Sequence, residues 1–372
     1  MSTQRFWTLM FLLLTMMLTA CGGTQPEATL APGTVAATPV AVEPIVFTDD
    51  VGHEVTLDAP PQRIVVAGRA TFIVANTYLL FPEGRERLVT VESRGIQSME
   101  FYALVAPHLD QENFLESDAG PEQIAVFTPD VVLLKSRMAD KLGAPLEQLD
   151  IPYVALDLET VEQFTQDLRL LGQLLGSEAR AEEIIAFYQS KLDVLEQRRA
   201  DLETKPRVLV ISYSDKGGEV AFKVPPASWI QTTETEMAGG DPVWVADVQG
   251  GSWNVVNFEQ IAAWQPEIVF IIAYNKDSGA VAAQLRADEG WQALPAGQAN
   301  AIYGLPADYY SWDTPDPRWL LGVTWMSKRI HPDVYADLDM LQEVREFYTT
   351  LYGFDAQQVE ALIIPQLTGD LQ

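Results

Sequence analysis

The sequence predicts an α/β fold of two Rossmann-like lobes, each with a central parallel sheet, joined by one long rigid helix. Three observations support this prediction. Short apolar runs alternate with helical patterns in both halves of the chain, which is typical of parallel sheets covered by helices. A helix–turn–strand unit occurs twice, beginning at Pro121 and again at Phe258. Between the two halves the strands cease, and a charged amphipathic helical pattern runs from Ser177 to Glu203.

The first residues form an export signal and are left out of the fold. Arg5 precedes an uncharged, largely apolar run from Phe6 to Leu18, which is shorter than the roughly 20 residues that a membrane span needs. The sequence at residues 18–21 is typical of a lipoprotein processing site, and Cys21 is the only cysteine of the chain. We therefore expect residues 1–20 to be a signal peptide and Cys21 to carry lipid. The mature protein would be anchored on the extracytoplasmic side of a membrane.

Composition defines the rest of the chain. Residues 21–44 are rich in Thr, Ala, Pro and Gly without apolar periodicity, so we expect a flexible lipidated linker. The remainder is long enough for two domains, which we place at 45–176 and 205–372, with the linking helix at 177–204. The formal net charge is −28, from 52 acidic and 24 basic residues, and argues against nucleic acid as a partner because its phosphates would be repelled.

Local signals place the elements of the first half. The stretch from Ile45 to Leu57 is typical of a hairpin, because two β-prone runs flank an acidic, Gly-containing turn before Pro60-Pro61. The apolar run from Arg63 to Ala67 indicates a buried parallel strand. Further strands, with helices between them, are predicted at residues 88–91, 131–135 and 153–156.

Capping residues and apolar periodicity also place the linking helix and the elements of the second half. Ser177 is a predicted N-cap, and an apolar stripe follows it at Ile184, Tyr188, Leu192 and Leu195. An ordinary amphipathic helix within one large domain is the alternative. In the second half, we predict strands at 208–212 and 268–272, short helices after Gly279 and Ala287, a helix from Asp316-Pro317 to Ile330, and packing helices at 341–367.

With these elements placed, the chain from Ile45 to Gln372 resembles the iron-siderophore and cobalamin class of ABC-transporter solute-binding proteins. The likeness rests on residues 48–55 followed by 60–66, on the two Glu-x-Ile units, on the single linking helix and on the export signal. In the second unit Glu267 stands where the first has Asp130. The segments 310–313 and 317–322 resemble a subgroup associated with iron complexes, and some relatives of that type bind molybdate or tungstate.

The resemblance implies a monomeric, non-catalytic protein that holds its ligand between two lobes that move little. It also implies delivery to a dimeric permease with its ATPase, and an acidic residue on each lobe that meets an arginine of each permease subunit. By position in the repeated unit these residues are Glu122 and Glu259. A carboxylate in the first turn is stabilised by the helix dipole, and its pairing with arginine would aid docking. Plain N-terminal capping is the alternative role.

Ligands of open α/β sheets bind beyond the carboxyl ends of the strands. The loops at these ends hold six basic residues, including Lys276, which favours an anionic ligand or an anionic metal complex over the alternative of solvated loop charges. Aromatic residues, among them Trp244 and Tyr309, are concentrated in the second half and suit large ligands. The residues predicted to bind ligand are Arg69, Arg94, Lys135, Arg137, Tyr213, Lys216, Trp229, Trp253, Tyr274, Tyr310 and Trp312.

The identity of the ligand stays open at this point. The three histidines are scattered and no His or Cys pair has zinc-site spacing, so we expect recognition of a preformed complex or an oxyanion rather than a resident metal or cofactor. A ferric siderophore is the first candidate, followed by a corrinoid or haem and by molybdate or tungstate. The sequence contains no Gly-x-Ser-x-Gly elbow, no phosphate-binding Gly loop and no His-Glu-x-x-His helix. The alternatives of another class are a membrane-anchored ligand sensor and a chelatase-like enzyme.

Overall fold

The computed structural model describes residues 44–93, 96–109 and 114–371. The predicted signal peptide, Cys21 and the linker up to residue 43 lie outside these residues, as does Arg94. The described residues belong to one compact unit, Val42–Gln372. Among them, no helix is both long and apolar enough to cross a membrane.

The first half contains the predicted hairpin and a four-stranded sheet. The hairpin strands pair antiparallel, and the sheet has the order β4-β3-β5-β6 with every pair parallel, as predicted. Its strands are buried along their whole length except at one position of β4, because helices cover both faces. In chain order the elements are β1 (Ile45–Thr48), β2 (Glu54–Leu57), β3 (Ile64–Val66), α1 (Thr71–Tyr78), α2 (Pro82–Arg87), β4 (Leu88–Val91), α3 (Ile96–Val105), α4 (Pro121–Ala125), β5 (Val131–Lys135), α5 (Ala144–Glu147) and β6 (Tyr153–Leu156).

Two consecutive helices connect the halves. The first, α6 (Val161–Leu175), begins with a capping box at Thr160 and ends at Gly176, whose φ of 68° is in the left-handed region that glycine adopts easily. The second, α7 (Glu178–Arg199), has 22 residues and ends a turn before the predicted boundary. The side chain of its predicted N-cap, Ser177, makes no capping hydrogen bond. Its buried face is that of the predicted stripe.

The second half contains a six-stranded sheet. We predicted a parallel sheet, but this one is mixed. Strands β7, β11 and β12 are parallel, but β8 lies antiparallel to both β7 and β10. The reason is the tight turn after β7, in which Gly217 and Gly218 both have positive φ and return the chain directly alongside β7. The elements are β7 (Arg207–Ser214), β8 (Ala221–Val224), α8 (Ile230–Met237), β9 (Asp241–Pro242), β10 (Asn254–Val256), α9 (Phe258–Trp264), β11 (Ile268–Ile272), α10 (Ser278–Ala287), α11 (Glu289–Gln292), α12 (Pro295–Gln298), β12 (Ile302–Gly304), α13 (Trp319–Ile330), α14 (Met340–Tyr352) and α15 (Ala356–Gln358).

One apolar core runs through both halves. It contains Ile73 and Phe101 from the first half, Tyr188 from α7, and Trp319 and Phe347 from the second. The C-terminal helix α14 also returns to the first half. Its last carbonyl groups, at residues 351 and 352, accept hydrogen bonds of 2.8 and 2.7 Å from the guanidinium groups of residues 180 and 85. The two sheets are therefore joined by shared packing as well as by α7.

Candidate ligand-binding cleft

A cavity of about 1130 Å³ opens between the two halves of the protein. From the first half it is lined by the N-terminus of α1, which follows β3, and by Arg137 and Glu159, which follow β5 and β6. From the second half it is lined by the start of α8 and by the loops that follow β11 and β12. The cavity therefore lies at the carboxyl ends of parallel strands from both sheets, where open α/β folds bind ligands. Its volume slightly exceeds the range of about 300–1,000 Å³ that is usual for small-molecule sites.

Aromatic rings form much of the cavity wall. Trp253 packs edge-on against Trp229 and Tyr274, with ring centroids 5.5 and 6.4 Å apart. On the other side, Phe72 of α1 stacks on Tyr310 at 5.5 Å with an interplanar angle of 16°. This second pair joins the two halves across the cavity floor. Rigid rings of this kind offer large apolar contact surfaces with little loss of side-chain entropy.

A buried polar cluster lies behind Tyr274. The Tyr274 hydroxyl donates a 2.6 Å hydrogen bond to Asp313, and the Gln231 side-chain amide donates one of 3.1 Å to the same carboxylate. Burial raises the pKa of Asp313 above its ordinary value. One turn along α8, the fully buried Glu234 has a pKa raised well above its ordinary value, first by burial and then by Asp313 and Asp316. Tyr274 thus presents its ring to the cavity while its hydroxyl is held by the interior.

Carboxylates accompany the basic residues of the cleft. Arg137 lies 3.7 Å from the Glu159 carboxylate, and the buried Lys135 ammonium lies 2.7 Å from it. Lys276 lines the cavity and pairs with Asp215. Burial lowers the pKa of Lys135. The concentration of positive charge that the sequence predicts is therefore largely balanced by neighbouring acids.

The cavity lining includes five of the residues predicted to bind ligand and does not include five others. Trp312 is fully buried, because its ring fills the core and its indole nitrogen donates to Asp308 at 3.2 Å. Lys135 is buried as the last residue of β5. The cavity-lining residues are Arg137, Trp229, Trp253, Tyr274 and Tyr310. The residues outside the lining are Arg69, Lys135, Tyr213, Lys216 and Trp312. Contact with a ligand stays a prediction for all of these residues.

Sequence reasoning missed Phe72, Gln231 and Asp308, all of which line the cavity. Phe72 could have been found, because it lies beyond the carboxyl end of β3, close to the predicted Arg69. Asp308 also lies beyond a strand end, that of β12, close to the predicted Tyr310. Gln231 gave no comparable signal, because it lies within α8 and its position is set by packing of the second half.

The repeated unit has the same structural role in both halves. In the first copy, Asp130 accepts a hydrogen bond of 2.9 Å from the backbone nitrogen of Arg63, at the start of the neighbouring strand. In the second, Glu267 accepts one of 2.8 Å from the backbone nitrogen of Arg207. In both copies the arginine side chain also donates to a carbonyl group near the end of the repeated helix, at 2.6 and 2.7 Å. The replacement of Asp130 by Glu267 therefore preserves the contact.

Glu122 and Glu259 lie in the first turns of α4 and α9, and both are exposed. The capping bonds are made by the next residue, since the side-chain oxygens of Gln123 and Gln260 accept from the N-cap backbone at 2.8 and 3.0 Å. Within the part of the chain that the structure describes, neither glutamate forms an ion pair. Capping, the alternative role for these residues, is thus performed by other side chains.

Comparisons with known proteins agree with this architecture. The sequence profile of the periplasmic binding protein family matches residues 99–309. The molybdate-binding protein MolA of Haemophilus influenzae is 21% identical over 332 residues, covering 82% of this chain and 90% of MolA. A periplasmic solute-binding protein of Veillonella parvula superposes with a TM-score of 0.69 at 23% identity, covering 86% of this chain and 96% of that protein. CeuE of Helicobacter pylori, in a Ni-His complex, superposes with a TM-score of 0.66 at 17% identity, covering 86% and 99%.

The matched profile spans more than half of the chain, and the matched solved structures share its fold. The predicted α/β fold class and the predicted relationship are confirmed by these matches. The family consists of proteins that bind substrates rather than enzymes that convert them. The chain therefore belongs to the periplasmic binding protein family, the class of solute-binding proteins that its sequence resembles.

Proposed function

We propose that the protein is the lipid-anchored, extracytoplasmic component of an ABC importer, and that it captures a metal complex in the cleft and delivers it to a permease dimer with its ATPase. The observation that carries the proposal is the open cavity of about 1130 Å³ between the two halves, with rings from both halves in its wall. Cys21 would carry the anchor, and residues 21–44 would give the binding unit its reach.

The size and the wall of the cavity favour a bulky ligand. A tetrahedral oxyanion would occupy only a small part of such a volume, whereas a ferric siderophore, a corrinoid or haem would fill it. Trp229, Trp253 and Tyr274 offer ring surfaces that suit a chelate's aryl groups or a macrocycle. Because the basic residues of the cleft are paired, the site does not require a strongly anionic cargo. A ferric chelate is therefore our first candidate.

A second candidate, molybdate or tungstate, is favoured by one observation. The relative MolA is named for molybdate, and Arg137 and Lys276 both line the cavity of this chain. An oxyanion could take over the contacts that these two side chains now make with Glu159 and Asp215. Such a ligand would leave most of the aromatic wall without a contact.

Docking would use Glu122 and Glu259. Both side chains are exposed, and the capping bonds of their helices are made by the neighbouring glutamines instead. Each would meet an arginine of one permease subunit. Two carboxylates on equivalent units of the two halves match a partner with two-fold symmetry.

Tryptophan fluorescence of the purified protein tests the binding role. The panel comprises ferric siderophores, cobalamin, haem, molybdate and tungstate. Saturable quenching by a chelate is expected, and it should weaken in Trp229→Phe and Trp253→Phe. In the matched control Trp264→Phe, which alters a tryptophan outside the cavity lining, the response should persist. A response confined to molybdate or tungstate would establish the second candidate, and no response to any member would contradict solute binding of these classes.

A further inference from the structure

Arg318 is a fully buried cation next to the ligand cavity. Its Nε donates to Asp308 Oδ1 at 2.6 Å, and its Nη1 donates to Asp316 Oδ2 at 3.0 Å. Its guanidinium carbon lies 4.4 Å from the ring centroid of Phe101 and 4.9 Å from that of Tyr310. Asp308 and Tyr310 both line the cavity, so Arg318 contacts two residues of the cavity wall from behind.

The hydrogen bonds of Asp316, the partner of Arg318, cross from the second half to the first. The Asn76 side-chain amide, on α1, donates a 2.7 Å hydrogen bond to the same Asp316 oxygen that Arg318 contacts. The Tyr352 hydroxyl, on α14, donates to the Asn76 carbonyl at 3.2 Å. Asn76 is fully buried on the helix whose N-terminus lines the cavity, and so the cluster connects the two walls of the cleft directly.

The linking helix α7 also contacts this cluster. The Tyr188 hydroxyl on α7 donates a 2.5 Å hydrogen bond to the carbonyl of Pro317, next to Arg318. The ring of Tyr188 also packs on Trp319 at 5.0 Å. Both halves and the helix between them therefore meet around a single buried cation.

Burial of three charged side chains is costly, and an apolar cluster of the same volume would often be at least as stable. Hydrogen bonds to charged groups differ from apolar contacts in being directional, since they weaken steeply away from good geometry. Bonds of this kind between the two halves therefore fix the relative orientation of the halves, and do not only hold them together.

We propose that Arg318 is a positioning residue of the ligand cleft, and that Arg318, Asp308, Asp316 and Asn76 form an inter-lobe clamp that sets the angle between the two halves and hence the width of the cavity. The clamp acts in addition to α7. It operates in the protein without ligand, so its test is independent of which cargo the protein carries.

Spin-label distances test the inter-lobe clamp. Cys21→Ser removes the only native thiol and also the proposed site of the lipid anchor, so the labelled protein is not anchored. Val126→Cys and Val255→Cys place one label on each half at side chains that are 78% and 69% exposed. Pulsed electron resonance on this full-length variant in detergent should give one narrow distance distribution. Asn76→Asp, added to this background, places a carboxylate against Asp316. At about pH 8, repulsion between the two carboxylates should shift and broaden the distribution.

The pH dependence of the distance distribution in the same variant is a second readout, which would not change if the cluster were only part of the core. In the parent protein, burial raises the pKa of Asp316 to about 6 against the opposing effect of Arg318, and a second carboxylate beside it would raise this pKa further. As the pH falls from about 8 to about 5, the two carboxyl groups can come to share a proton, and the narrow distribution should return. The other ionisable groups that face Asp316 are Arg318, Asp308, Glu234, Tyr102, Tyr188 and Tyr352.

A matched control is Asp167→Asn, which alters a buried carboxyl group of the first half outside the clamp and should leave the distances unchanged. Asn76→Ala removes the donor without adding a charge. It should broaden the distribution at every pH, and it keeps the proposal testable if Asn76→Asp does not fold. The proposal is overturned if Asn76→Ala retains the parent distribution, or if Asp167→Asn broadens it equally. A failure of every cargo to bind would leave these distances unaffected and would count against the proposed function alone.

Discussion

Reversal of the two exposed carboxylates, Glu122→Arg with Glu259→Arg, should abolish delivery while leaving the fold and the cleft intact. The structural reason is that different residues in the first turns of α4 and α9 cap the helix and face the solvent. The side chains of Gln123 and Gln260 make the capping bonds, so neither glutamate is needed to begin its helix. The two sites also lie outside the cavity lining, and cargo affinity should be unchanged.

The expected magnitudes separate the two effects. An unfavourable charge near a helix N-terminus costs about 1 kcal/mol at an exposed site, so the double variant should lose about 2 kcal/mol of a stability that is typically about 5–15 kcal/mol. A close charge pair across an interface contributes at least about 1.5 kcal/mol of coupling, and two such pairs contribute about 3 kcal/mol. Since about 1.4 kcal/mol corresponds to a factor of ten, affinity for the permease should fall by at least about a hundredfold.

The assay combines urea unfolding, cargo titration and uptake by cells that depend on this importer. The matched control is Glu178→Arg with Glu289→Arg, which makes the same change of charge at two other exposed first-turn positions, in α7 and α11. The control should retain uptake. Uptake that survives reversal of Glu122 and Glu259 would refute the docking assignment. A fall in stability well beyond about 2 kcal/mol would show that these carboxylates support the fold.

Three further predictions concern stability. Burial and then a hydrogen bond with Asp50 raise the pKa of Asp167 from 3.8 to about 9. The folded state therefore retains a proton that the unfolded chain releases, and the free energy of unfolding should fall as the pH rises from about 4 to about 9. In urea unfolding, Asp167→Asn should flatten this fall. Tyr274→Phe removes the 2.6 Å bond to the buried Asp313 and should cost about 1–3 kcal/mol. Gly304→Ala should cost about 1–3 kcal/mol or more, because a Cβ atom there would lie 2.2 Å from backbone atoms of residues 278 and 279.

Each of these three has a control and a contradicting result. An equal pH slope in the parent and in Asp167→Asn would show that another group titrates. Tyr303→Phe, at a half-buried tyrosine, is the control for Tyr274→Phe, and equal losses would rule out the proposed role of the hydrogen bond. Gly251→Ala meets open space and should be nearly neutral, so a similar loss at both glycines would contradict the steric argument.

Most of the fold could be predicted because its signals are local. The run at β5 is apolar up to its last residue, Lys135, and is bounded by turn residues, and the hairpin of β1 and β2 is flanked by prolines. The antiparallel β8 could not be predicted in the same way. Its short sequence carries little periodicity, and its direction is decided by the tight turn after β7.

The cleft was less predictable than the fold. Strand ends correctly indicate the region of Arg137 and Tyr274, because the carboxyl ends of parallel strands meet at one edge of the sheet. A residue's exposure within that region depends on tertiary packing. Trp312 and Arg318 lie in polar-looking segments, yet both are fully buried, and only the folded partners Asp308 and Asp316 explain why.

The return of α14 to the first half has a consequence for the order in which the protein matures. The carbonyl groups at its end bond to guanidinium groups at residues 85 and 180, and its rings pack against Phe101. Synthesis begins at the N-terminus, so residues 64–156 can pair their strands early. Their core nonetheless stays partly uncovered until Tyr352 has been made. The folding chain therefore gains a competent cleft only when its last quarter is available, and truncation shortly before α14 should expose apolar surface on both halves at once.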